Sequence, residues 1–134
     1  MKDNNGSITY TELSYVEERK TASIQSAAIK NNAGVYVSPS SAATAAFYAE
    51  ATVNADGSVT PDYTVAAADA YLINAISYGL GATAASTTNT AISSWFTYVL
   101  KTCAPSSAAT AFYAPIAGNL LTKALAQAAK VGAS

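Results

Sequence analysis

Residues 70–79 carry the strongest strand signal in the chain. Their sequence is AYLINAISYG, which is rich in Tyr and Ile and contains no charged residue. Aromatic and β-branched side chains favour the pleated backbone of a sheet, so we predict a strand here. Because this strand would be apolar on both faces, it requires packed elements on both sides.

Helical periodicity and capping residues predict three main helices. The first spans residues 38–51 and starts at a Ser-Pro-Ser-Ser sequence, where a hydroxyl can cap free amides and Pro39 is tolerated in the first turn. The second spans about residues 89–103 and ends before Pro105. The third starts near Ala117 and is closed by Gly132. The side chains predicted to face inward on the last two helices are Ile92, Trp95, Phe96, Val99, Leu100, Cys103, Leu120, Leu121, Ala124, Leu125, Ala128 and Val131.

Shorter elements are predicted before and between these helices. In chain order they are a strand at residues 7–11, a helix at 13–20, a brief strand at 22–25, a turn at 31–34 followed by a strand at 35–37, a surface loop or irregular hairpin at 54–69, and a short helix at 106–111. On the first of these helices, Glu17, Glu18, Arg19 and Lys20 are predicted to face water.

The charged residues are few and unevenly distributed. A chain of 134 residues can bury one core, so one folding unit is expected. All eight acidic residues precede residue 70, and only Lys101, Lys123 and Lys130 carry charge after it. Basic side chains spread this thinly form no electrostatic surface for nucleic acid. No apolar stretch reaches the roughly 20 residues of a membrane span, and the polar residues after Met1 do not form a secretory signal.

The side chains that usually carry catalysis are absent or isolated. The sequence contains no histidine, which removes the commonest general base and most metal sites. Glu17 and Glu18 are sequence neighbours and would point in different directions on a helix. The loop acids Asp56, Asp62 and Asp69 do not have calcium-loop spacing. We therefore predict no catalytic residues, no metal site, no cofactor and no enzyme activity.

Three further features have a structural and a functional interpretation. Residues 79–84, GLGATA, match a G-x-G-x-x-A dinucleotide pattern, but no acid for the ribose follows Asp69. A glycine-rich hinge or helix start is favoured. The nine tyrosines could form a sugar- or base-stacking platform, but their scatter favours core and interface roles. Cys103, the only cysteine, is predicted to be a small core residue.

Several stretches, in order, resemble segments of the periplasmic phosphate-binding proteins of ABC importers. Residues 6–15, GSITYTELSY, are similar to the family's G-x-I-G-Y-x-E-x-x-Y-A segment, and residues 30–40, KNNAGVYVSPS, to the strand and helix start that follow it. Residues 70–80, AYLINAISYGL, resemble its A-Y-P-I-x-x-x-T-Y return strand, although Leu72 replaces the usual proline and Gly81 is a further departure. Residues 91–100, AISSWFTYVL, resemble its next helix, and residues 113–116, YAPI, resemble its Y-A-P-L.

The resemblance implies the C-terminal part of a two-lobed α/β binding protein that closes on phosphate, with mixed short strands and several helices. Residues 1–69 would form the end of the second lobe. Residues 70–134 would supply a strand that crosses between the lobes and the C-terminal helices of the first lobe. The implied location is the periplasm, the cell surface or the extracellular space. Phosphate and the importer permease would be partners of the complete protein only.

The resemblance carries over no phosphate ligand. The family's ligands come from an N-terminal glycine-rich stretch, an aspartate and an R-x-D-x-S-G-T segment, and no position here matches them. The only arginine, Arg19, lies on a charged helix face outside any such motif. We therefore expect a fragment or truncated relative that is non-catalytic and does not bind phosphate alone. The alternative is a self-associating structural or assembly protein that reuses the half-fold, paired with copies of itself or with a missing N-terminal half.

Overall fold

The computed structural model describes residues 4–20 and 24–134, and it combines helices with two small hairpins. In chain order the elements are α1 (Leu13–Glu18), β1 (Ile29–Lys30), β2 (Tyr36–Val37), α2 (Ser41–Tyr48), β3 (Thr52–Val53), β4 (Val59–Thr60), α3 (Thr87–Tyr98), a π-helical turn (Val99–Cys103), α4 (Ala104–Ser107) and α5 (Gly118–Ala128). Both hairpins are antiparallel, with Ile29 opposite Val37 and Val53 opposite Val59. The predicted helix at 13–20 and the strand at 35–37 are confirmed in kind. Of the loop or irregular hairpin predicted at 54–69, the hairpin is present but runs from Thr52 to Thr60, and the residues after it are irregular.

Two asparagine side chains fasten the first hairpin to the segment that follows β4. The buried Asn31 directs its Nδ2 at the carbonyl oxygens of Ala67, Ala68 and Ala70, at 3.1, 3.0 and 3.3 Å. Its Oδ1 accepts a hydrogen bond from the Val35 amide at 3.1 Å, inside the tight turn between β1 and β2. The neighbouring Asn32 donates to the carbonyls of Tyr63 and Val65. The two side-chain amides thus donate hydrogen bonds to backbone carbonyl groups that are not paired with a strand.

A small apolar core lies where α2 meets this segment. Phe47 is fully buried and packs with Val65 and Ala70. The α2 helix starts at Ser41, later than the predicted residue 38, and Pro39 lies outside it. The predicted serine cap is present, because the Ser40 hydroxyl accepts a hydrogen bond from the Ala43 amide at 3.1 Å. The helix ends at Tyr48, earlier than the predicted residue 51. The chain turns there to begin the second hairpin, which starts at Thr52.

Residues 71–85 join this first half to the C-terminal helices. The Tyr71 amide donates to the Ala43 carbonyl of α2, and the Asn74 side chain accepts a hydrogen bond from Thr44. Further along, Gly132 and Ser134, which follow α5, donate to the carbonyls of Ala82 and Thr83. The segment therefore contacts both halves and keeps them together.

The C-terminal helices pack through half-buried apolar side chains. The contacts involve α3, the π-helical turn and α5, and α5 places Ala128 and the following Val131 in buried positions. The Ser86 hydroxyl caps α3 by accepting from the Asn89 amide. The last helix ends at Ala128, before the predicted Gly132, which has a φ of 73° and lies in the turn that follows the helix. The inward stripe of α5 is confirmed, but Trp95 of the predicted α3 stripe is 58% exposed.

The strand predicted at residues 70–79 is wrong, because this segment forms neither helix nor strand. A strand exists only through hydrogen bonds to a neighbouring strand, and no described segment pairs with this one. In addition, the segment is packed against the rest of the protein on one side only. Leu72, Asn74 and Ile76 are half-buried, whereas Ile73 and the residues at 75 and 77 are exposed.

Two other predicted strands also differ from the structure. Residues 7–11 form no strand, and Ile8 and Tyr10 are 91% and 97% exposed without a pairing segment among the described residues. The brief strand predicted at residues 22–25 lies partly outside the described residues. Within its described part, Ile24 forms an isolated bridge.

The prediction that the α3 helix ends before Pro105 is wrong. The helix continues through a π-helical turn into α4, which contains Pro105 in its first turn. Proline lacks an N–H and its ring crowds the carbonyl four residues earlier. The wider turn accommodates this, because the Ala104 amide donates to Val99, five residues back. The predicted short helix at 106–111 is accordingly the end of this longer helical stretch.

That helical stretch ends at an unusual capping residue. Phe112 has a φ of 62°, a left-handed value that glycine adopts more readily. Its amide donates to Ala109 and the Tyr113 amide donates to Ala108, which is the Schellman hydrogen-bond pattern. The turn directs Tyr113 toward the first half of the chain. There the Tyr113 hydroxyl donates to Glu12 at 2.9 Å, and its carbonyl accepts from Ser41 at 2.7 Å.

We expect Asn31→Ala to lower the free energy of unfolding by about 2–4 kcal/mol, because the buried carbonyls of residues 67–70 would lose their donor. The measurement is urea unfolding followed by circular dichroism. Asn119→Ala is the matched control, since Asn119 is exposed on α5, and it should change the value by less than about 0.5 kcal/mol. We call the hydrogen bonds from Asn31 and Asn32 to the segment after β4 the asparagine clamp. Equal effects of the two substitutions would contradict the stabilising role of this clamp.

Candidate functional site

A shallow polar pocket lies between the end of α1 and the residues that lead into α2. It encloses about 160 Å³ and is lined by Glu17, Lys20, Gln25, Ser26, Ser38 and Pro39. The Lys20 ammonium lies 3.2 Å from both carboxylate oxygens of Glu17. The Ser26 hydroxyl is buried and makes no hydrogen bond to the described residues. Glu17 is thus partly enclosed, with 21% of its side chain exposed, and does not simply face water as predicted.

The pocket suits a water molecule or a small neutral polar group better than an anion. It is large enough for water, and Ser26 offers an unsatisfied hydroxyl. However, the single ammonium is already neutralised by Glu17, whose carboxylate would repel phosphate. Sequence reasoning missed this pocket because its lining residues come from three separate short segments and carry no common motif.

The glycines of the G-x-G pattern are used for packing. A Cβ atom added at Gly79 would lie 2.5 Å from the Phe96 ring, and one at Gly81 would lie 2.9 Å from both methyl groups of Val131. In a dinucleotide site the equivalent space admits the pyrophosphate. Here the protein's own side chains fill it, which favours the structural interpretation of the pattern.

The loop acids act as turn-forming residues. The Ser58 hydroxyl and amide both donate to Asp56 Oδ1, at 2.7 and 2.9 Å. The Thr64 hydroxyl and amide bond Asp62 Oδ1 in the same way. These hydrogen bonds, led by the hydroxyl contact in each case, lower the pKa of both carboxyl groups. Such ionised, locally bonded carboxylates are poor general bases, and the structure does not bring them together with Glu17 or Glu18.

Two of the nine tyrosines pack against the core phenylalanine, and a third, Tyr78, lies near Tyr48. The Tyr48 and Tyr63 rings lie 4.9 and 5.4 Å from the Phe47 ring, and the Tyr78 hydroxyl accepts a hydrogen bond from the Val59 amide at 2.9 Å. Burial, followed by the nearby phenols of Tyr63 and Tyr78, raises the pKa of Tyr48. These three tyrosines therefore lie at the edge of the hydrophobic core, whereas Tyr10 and Tyr36 are exposed elsewhere.

The remaining candidate residues do not converge on a ligand site. Arg19 lies 3.8 Å above the Tyr15 ring and 3.0 Å from Glu18, so local contacts occupy it. Cys103 is half-buried in the π-helical turn, consistent with its predicted packing role. Among the described residues, no group of His, Cys, Asp and Glu side chains is arranged to hold a metal ion.

The most distinctive surface is one that the sequence did not predict. Residues 72–80, which we call the open edge, carry several exposed apolar side chains, including Ile73 at 65% and Leu80 at 90%. From Leu72 to Gly81, backbone amides and carbonyls make no hydrogen bond to other described residues. Unpaired backbone beside exposed apolar side chains is typical of a surface that another polypeptide covers.

We expect Gly81→Ala to lower the free energy of unfolding by about 1–3 kcal/mol, because the added methyl group would overpack against Val131. In the double variant with Val131→Ala, the cost should be clearly smaller than the sum of the two single costs, since each change relieves the other. Chemical denaturation of the four proteins measures this coupling. Additive costs would indicate that the glycine is not required for this packing.

We expect stability to decrease in alkaline solution because of Tyr48. Its folded pKa is raised above the unfolded value of about 10, so the stabilisation is present below that value and is lost as pH rises through the folded pKa. Burial raises the pKa of Tyr71 in the same direction. Urea midpoints measured from neutral to strongly alkaline pH should fall less steeply for Tyr48→Phe than for the unmodified chain. Tyr36→Phe controls for loss of a hydroxyl, and an identical slope for Tyr48→Phe and the unmodified chain would contradict the assignment.

Within the described ranges, no helix is both long enough and apolar enough to span a bilayer. Comparisons with models of protein families, with curated proteins and with solved structures found no match.

Proposed function

We propose that this chain is a fragment or truncated relative of the phosphate-binding protein of an ABC importer, non-catalytic and unable to hold phosphate tightly alone. One observation carries the proposal: segments that bear the resemblance meet in space. Tyr113 of the YAPI segment donates to Glu12 of the first segment and accepts a hydrogen bond from Ser41, which directly follows the second. Convergence of distant segments supports a common structural origin for the motifs.

We expect no phosphate site because the cationic side chains that follow α1 already contact other residues. A buried phosphate needs several charged or backbone donors that point at one place. Arg19 is held by Glu18 and Tyr15, and Lys20 is neutralised by Glu17 in the polar pocket beside α1. Phosphate, the importer permease and a periplasmic or cell-surface location therefore belong to a complete protein in which another segment supplies the ligands.

A second candidate function is favoured by the exposed apolar surface. In this proposal the chain is a structural or assembly protein that reuses the half-fold and associates with copies of itself. Ile73 and Leu80 on the open edge and Trp95 on α3 are each more than half exposed. Large apolar side chains exposed in this way often mark a contact with another protein.

Calorimetric titration of inorganic phosphate into the purified chain tests the first proposal. We expect no saturable heat up to about 1 mM phosphate, because no set of donors within residues 4–20 and 24–134 converges on an anion. Micromolar binding would overturn the proposal that the ligands are missing, and its loss in Lys20→Gln would then locate the site in the pocket. If a reading frame directly upstream encodes R-x-D-x-S-G-T, its product should bind this chain, and the complex should bind phosphate. Failure of that complex to form would contradict the fragment proposal.

A further inference from the structure

The open edge combines a strand-forming sequence with unpaired backbone. Tyr and Ile residues favour strands, yet the backbone from Leu72 to Gly81 makes no hydrogen bond to the rest of the described chain. The predicted strand is therefore absent because no described segment pairs with it, and not because its residues disfavour a strand. A second strand would supply the hydrogen bonds that this segment lacks.

Burial alternates along the open edge in the manner of a strand with one covered face. Leu72, Asn74 and Ile76 are half-buried, while Ile73, Ala75 and Ser77 are exposed. The covered side is held in place, because Asn74 accepts a hydrogen bond from Thr44 at 2.8 Å. The exposed side is free to meet another polypeptide.

The absence of charge favours the same segment of another copy as the occupant. Residues 70–100 contain no Asp, Glu, Lys or Arg, so two such segments can approach without repulsion between their own side chains. A two-fold contact brings the same surface of each copy together, and most soluble oligomers use this symmetry. A highly charged partner would find no complementary charge on the segment.

We propose that residues 72–78 pair antiparallel with residues 72–78 of a second copy about a two-fold axis at Ala75, so that the exposed Ile73 lies opposite the exposed Ser77 of that copy. This inference rests on the second candidate function, self-association, and specifies its surface and partner. One short strand pair is a small interface, so the dimer dissociates on dilution. Amides within residues 72–78 exchange with solvent more slowly in the dimer than in the monomer.

Sedimentation equilibrium over a range of protein concentrations measures the dimer, and hydrogen exchange of residues 72–78 locates it. Ala75→Lys, at an exposed position, places two ammonium groups opposite each other at the axis and should weaken dimerisation at least about tenfold. Ser77→Lys, also at an exposed position, is a second variant if the first fails to fold. Ile8→Lys is the matched control because Ile8 is 91% exposed outside this segment; it should leave the dimer unchanged. Circular dichroism checks the fold of each variant.

The alternative results distinguish pairing through the open edge from self-association in general. A dimer that both open-edge variants leave intact, with no concentration-dependent protection of residues 72–78, overturns the edge pairing but leaves self-association standing. A monomer at every concentration overturns both, while phosphate titration still decides the first candidate function. Open-ended oligomers that dissociate with added salt also overturn the pairing, because they indicate head-to-tail contacts between the acid-containing first half and the lysines of the second half.

Discussion

The side-chain amides of Asn31 and Asn32 replace a sheet in the first half of this fold. The strands of both hairpins are two residues long, so their ladders satisfy few backbone groups. Carbonyls between residues 63 and 70 instead accept hydrogen bonds from the two asparagines. This arrangement presses Val65 and Ala70 against Phe47, and it thereby places the start of the open edge. The core and the proposed association surface both depend on it.

In the second half, the close approach of glycine residues to neighbouring elements compensates for the scarcity of large buried side chains. Gly79 and Gly81 lie against Phe96 and Val131, and Gly132 lies against the α3 backbone, with no room for a Cβ at any of the three. Alanine and glycine bury little area, but close packing increases dispersion contacts. The glycines that match a nucleotide-binding pattern are therefore explained by packing.

The open edge connects the two candidate functions. In a phosphate-binding protein, a further part of the polypeptide would cover residues 72–80 and supply the anion ligands. In a self-associating protein, a second copy would cover the same residues and no ligand would be needed. Both proposals explain why a strand-forming, uncharged segment lies on the surface, and they differ only in what completes the fold.

The sequence by itself determined the helices with clear caps and periodicity. Ser40 and Ser86 cap α2 and α3, because capping and helix hydrogen bonds join residues close in the chain. Tertiary structure decided the rest. Residues 70–79 lack a strand because pairing needs a distant partner, and Pro105 is accommodated by a π-helical turn that local rules do not predict. The pocket, the asparagine clamp and the open edge arise only where segments distant in sequence meet or fail to meet.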